Sequence, residues 1–91
     1  MMASLYPQLP VLMVDDEVQA LNSFEMVLRS ASMNHILRCE DSRKAMGIFS
    51  GQEIEVMMLD LSMPHVSGEE LLLSVTKDYP EVPVIVIVFG D

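Results

Sequence analysis

The sequence predicts an α/β fold built on a doubly wound parallel sheet. Three observations carry that prediction. Short apolar runs alternate with stretches of helical periodicity in the order β-α-β-α-β-α-β, which calls for parallel strands, right-handed crossovers and helices on both faces. The run from Ile54 to Leu59 is almost continuously apolar, as suits a strand buried on both faces. Two apolar runs close on aspartate: Val-Leu-Met-Val-Asp-Asp-Glu at 11–17 and Val-Met-Met-Leu-Asp at 56–60. If these are neighbouring parallel strands, Asp15, Asp16 and Asp60 emerge together at the carboxyl edge of the sheet, where open α/β sheets place their ligands. Carboxylates gathered there repel, so the cluster should raise a pKa or hold a hard divalent cation such as Mg2+.

The elements follow in order. Residues 1–9 contain Pro7 and no periodicity and read as a frayed lead-in. A first strand is expected at 10–14. Val18, Leu21, Phe24, Leu28 and Ala31 then recur at helical spacing, with Glu17, Asn22, Glu25 and Arg29 on the wetter side, predicting a helix over about 17–31. His35 to Cys39 is a short strand. Asp41 or Ser42 can cap a helix whose inner face is Ala45, Met46 and Phe49, and Gly51 is placed to stop it. The third strand is expected at 54–59. Ser67 with Glu70 three positions on resembles a capping box opening a helix through about Lys77, with Leu71, Leu72 and Val75 inward. Tyr79-Pro80 ends it, and Pro83 to Phe89 is the most apolar strand of all.

A chain of 91 residues makes one small domain. Surface scaling gives roughly 5,300 Å² exposed when folded against about 15,000 Å² unfolded, enough burial for a modest core, and 51% hydrophobic content argues against disorder. The formal charge of −9, with only Arg29, Arg38, Arg43, Lys44 and Lys77 basic, disfavours direct contact with nucleic acid. The single cysteine, Cys39, cannot form an internal disulfide and reads as a buried strand residue rather than a nucleophile. No apolar run reaches the roughly 18 residues that span a bilayer, and the N-terminus lacks the pattern of a signal peptide, so the expectation is a cytoplasmic protein with no membrane partner.

Acidic residues after a strand often only cap the next helix, and Asp16 could do so. Asp60 and its context make that bland reading weak. Asp-Leu-Ser-Met-Pro-His-Val-Ser-Gly at 60–68, at this distance from Asp15-Asp16-Glu17, resembles the receiver domain of two-component response regulators, and the similarity spans nearly all of residues 10–91. The resemblance implies the flavodoxin-like receiver fold with strand order 2-1-3-4, the fifth strand and the final helix-strand-helix missing. It implies a phosphoacceptor signalling domain rather than an autonomous enzyme. Asp60 would take the phosphoryl group from a sensor histidine kinase or phosphotransfer protein, and Mg2+ would be held by Asp15, Asp16, Asp60 and the backbone carbonyl of Ser62. Met63-Pro64 and Gly68 would shape the loop into the third helix, while His65 reads as an exposed loop residue.

The family's switch uses a Ser or Thr after the fourth strand and a Lys after the fifth. Here the first position falls on Val88, followed by Phe89, and neither side chain can donate a hydrogen bond; the Lys has no counterpart. A sheet ending at 83–89 exposes an apolar edge that invites pairing with another chain. The expectation is a homodimer or larger assembly through that strand. The rival reading is a shortened receiver that no longer signals and serves as an oligomerisation module.

Overall fold

The computed structural model describes residues 9–61 and 68–87. The elements are strand β1 (Val11–Val14), helix α1 (Val18–Ser30), strand β2 (Ile36–Cys39), a 3₁₀ turn (Ser42–Lys44) running into helix α2 (Ala45–Gly51), strand β3 (Val56–Asp60), helix α3 (Gly68–Asp78) and strand β4 (Val84–Ile87). The strands form one four-stranded sheet in the order β2-β1-β3-β4, every pairing parallel. This is the flavodoxin-like receiver fold. Ser62, Met63, Pro64, His65, Ser67, Val88 and Phe89 lie outside the described residues.

The core forms two layers. On one face of the sheet Leu12, Val14, Met57 and Leu59 pack against Ala45 and Phe49 of α2 and Leu71 and Val75 of α3. On the other face Val11 and Met13 meet Leu21 of α1, with Phe24, Leu28, Val56 and Met58 only partly buried around them. The expectation that β3 is buried on both faces therefore holds for one face alone. Met57 and Leu59 are fully buried, whereas Val56 and Met58 are half-buried, because α1 is the only described helix on their side. The same shortage leaves Val18 exposed, and Ala31 is exposed at the end of α1, although both sit at helical spacing with Leu21.

Several boundaries differ from the sequence reading. Ile54 is buried but precedes β3, whose ladder with β1 begins at Val11 opposite Val56. At its other end β3 extends to Asp60, paired with Ile87. Asp41, rather than Ser42, caps the 3₁₀ turn: its carboxylate accepts from Arg43 N–H at 3.0 Å. Gly51 is the last residue of α2 instead of its stop, and an extended Gln52 ends the helix. Helix α1 closes with Ser32 in the left-handed region at φ 67, Ser32 N–H donating to Arg29 C=O and Met33 N–H to Leu28 C=O, both at 2.9 Å. That is a Schellman closure with serine where glycine is usual. No helix among the described residues is long and apolar enough to cross a membrane.

Candidate functional site: an acidic cluster at the carboxyl edge

All four residues of β1 are buried, which fixes the direction in which the chain leaves the sheet. The ladder continues one step past the strand: Asp15 N–H donates to Cys39 C=O at 3.0 Å. This holds the Asp15 backbone at the edge with its side chain buried, 2% exposed. Asp16 follows on the exposed side. Asp60 ends β3, the neighbour of β1, and is itself buried. Adjacent parallel strands thus deliver three carboxylates to one place, with a ligand oxygen from each of Asp15, Asp16 and Asp60 lying within 4.8 Å of the others.

The surroundings give these groups different tasks. Asp15 Oδ1 accepts from Glu17 N–H at 2.9 Å, an Asx turn that steers the chain into α1. Residue 17 is the N-cap of α1 and carries no side-chain cap bond, so Asp16 is not consumed in capping. Asp15 Oδ2 is buried with no hydrogen-bond partner among the described residues. Burial pushes the Asp15 carboxyl up to about 6; the Glu17 N–H opposes this, while the negative charges of Asp60 and Asp16 add to it. A buried acceptor without a donor, beside two further carboxylates, is a costly arrangement until a proton or a cation joins them. The donor set is all oxygen, the preference of a hard divalent cation.

The start of α3 presses against this edge. A Cβ on Gly68 would collide with the Leu61 Cα and come within 2.9 Å of the Asp60 carbonyl oxygen, so glycine is what allows the helix to begin directly beside the last residue of β3. Asp15, Asp16 and Asp60 are brought together as expected from the sequence, while Ser62 lies outside the described residues. The Glu17 N–H, which orients Asp15, was not singled out from the sequence. Its signal was an Asp two positions before the first residue of a helical pattern. Cys39 is buried at the end of β2, where burial raises its thiol pKa and its Sγ meets Asp41 C=O at 3.0 Å.

The response regulator receiver domain model matches residues 11–90, and the chain belongs to that family, a class of signalling domains. No curated protein gives a significant match. Solved structures of response regulators superpose closely. The bacteriophytochrome response regulator AtBRR is 25% identical with a TM-score of 0.82, the alignment covering 92% of this chain and 69% of AtBRR. The regulator TrrA of Thermotoga maritima, in complex with Mg(2+)-BeF, is 23% identical with a TM-score of 0.82, covering 89% of this chain and 70% of TrrA. TrrA in complex with the histidine kinase ThkA gives 23% identity and a TM-score of 0.82, covering 92% and 72%. The acidic cluster lies where a receiver domain is phosphorylated.

Proposed function

We propose that the chain is the phosphoacceptor module of a two-component phosphorelay, with Asp60 as the acceptor. The observation that carries this reading is the convergence of Asp15, Asp16 and Asp60 around a buried, partnerless Asp15 Oδ2. Asp15, Asp16 and Asp60, with the backbone carbonyl of Ser62, would hold Mg2+. Bound there, the ion would supply the positive charge that lets an anionic carboxylate approach an anionic phosphoryl group. The remaining chemistry belongs to the chain. An Asp60 carboxylate oxygen forms a bond to phosphorus, the bond from phosphorus to the donor's imidazole nitrogen breaks, and the histidine recovers its electron pair and then a proton.

A sensor histidine kinase or phosphotransfer protein is the proposed donor, a reading supported by the complex of the structurally similar TrrA with ThkA. Binding of Mg2+ is supported by the donor chemistry and by the Mg(2+)-BeF complex of TrrA. The proposed setting is the cytoplasm, which keeps Cys39 reduced. With a charge of −9 the module is expected to act through protein contacts and not on nucleic acid directly.

Incubation with Mg2+ and acetyl phosphate should add one phosphoryl mass to the intact protein, and Asp60→Asn should abolish the adduct. Unmodified wild-type protein under both acetyl phosphate and beryllofluoride would sink the reading. The second reading, an oligomerisation module without phosphoryl transfer, is favoured by Ile85 and Val86, exposed on β4. It would gain from assembly of wild type and Asp60→Asn alike, with no adduct on either.

A further inference from the structure

We propose that the amino edge of the sheet carries a second binding site, for an amphipathic organic cation, an ammonium group borne on an apolar or aromatic body. A cavity of about 470 Å³ opens there, walled by Phe49, Ile54, Tyr79 and Val82 and flanked by Glu53 and Glu81. Its volume lies in the range of small-ligand sites. The strand β3 separates it from Asp60: Ile54 stands before the strand's first residue and Asp60 is its last, about 13 Å or more along a strand of that length. The site is therefore independent of the acidic cluster and of the phosphoacceptor reading.

Three features select a cation with an apolar body. Phe49 and Tyr79 stack with ring centroids 4.9 Å apart and 26° between planes, and this pair lines the cavity; aromatic rings attract a cation placed against them and an apolar body equally. The charged residues among those lining the cavity are the two glutamates, with no Lys, Arg or His among them. Both glutamates are exposed, free to turn toward an incoming charge. Finally, helices in a parallel α/β fold run against the strands, so α2 ends at Gly51 and α3 at Asp78 beside this cavity. The carbonyl ends of helices favour positive charge.

The test uses the full chain labelled with ¹⁵N, at pH 7 and low salt, titrated separately with phenethylammonium, 2-phenylethanol and 3-phenylpropionate. Phenethylammonium should give saturable shifts of the amides at 49–54 and 79–82, 2-phenylethanol should bind about fivefold more weakly, and 3-phenylpropionate should shift none of them. The double substitution Glu53→Gln and Glu81→Gln, at exposed positions, should lower the affinity for the amine toward that for the alcohol, and Asp60→Asn should leave amine binding intact. The proposal is overturned if the amine and alcohol bind equally to wild type. It is equally overturned if the double variant binds the amine as wild type does, or if no saturable shift arises at these amides.

Discussion

Asp15 carries most of the tension in the acidic cluster, and its protonation sets a pH dependence with a definite sign. Its pKa rises from 3.8 to about 6 on folding, through burial first and then the neighbouring carboxylates. Between those values the native state holds a proton that the unfolded chain has released. The stabilisation from neutral Asp15 is therefore present below about pH 4 and is lost as pH rises through about 6. Urea unfolding of the metal-free protein at pH 5 and pH 7 should show this loss, and Asp15→Asn should remove it. The variant should then be more stable than wild type at pH 7, and a variant less stable there would contradict the account. A cation at the same place competes with that proton, so Mg2+ affinity should weaken as pH falls below about 6; calorimetric titration at pH 5, 6 and 7 checks the direction. At this scale the identities of the three carboxylates were legible in the sequence because they close two apolar runs, Asp15 and Asp16 the first and Asp60 the second. Their inequality was not. Which oxygen is orphaned depends on the Glu17 N–H claiming Oδ1 and leaving Oδ2 without a donor, a matter of side-chain rotamer that no spacing encodes.

Elements were legible where periodicity was strong and vaguer where closure depended on backbone conformation. The four strands and three helices all formed in the expected order, since apolar runs and helical spacing are readable in the sequence itself. Helix ends were less so. Gly51 reads as a stop yet ends inside α2, while Ser32, with no mark as a terminator, adopts φ 67 and closes α1. A serine there bears a Cβ penalty that glycine avoids. Ser32→Gly should therefore stabilise the protein by about 0.5–1 kcal/mol after the greater freedom of the unfolded chain is deducted. A lower urea midpoint for that variant would refute the reading of this closure. Gly68 is the opposite case. Any side chain there drives into the Asp60–Leu61 backbone, so Gly68→Ala should destabilise by about 1–3 kcal/mol. It should also disturb Asp60, visible as phosphoryl incorporation reduced more than the folded fraction is.

At the level of the whole molecule, an uncovered apolar strand meets a large negative charge, and the balance between them decides whether copies associate. Strand β4 lies at the edge of the sheet. The carbonyls of Pro83 and Ile87 bond inward, to Met57 N–H at 3.0 Å and Leu61 N–H at 3.3 Å, so the alternation of a parallel ladder turns the backbone groups of Val84 and Val86 outward. Successive side chains point to opposite faces, and Ile85 and Val86 are 52% and 39% exposed; among the described residues neither face of β4 is fully covered, although Val84 packs against the core. Open backbone groups beside apolar side chains favour pairing with another strand. Two chains of charge −9 resist it, but that resistance is screened within a Debye length of about 10 Å at 0.1 M salt and about 3 Å at 1 M. Sedimentation equilibrium should therefore show association strengthening as NaCl rises. Ile85→Lys separates the two contributions. The substitution lowers the net negative charge, which by itself would ease approach, yet it places a solvated ammonium on the pairing strand. Association lost in Ile85→Lys at every salt concentration would locate the contact at β4. Association unchanged or strengthened would mean that charge alone governed it and that the copies meet elsewhere.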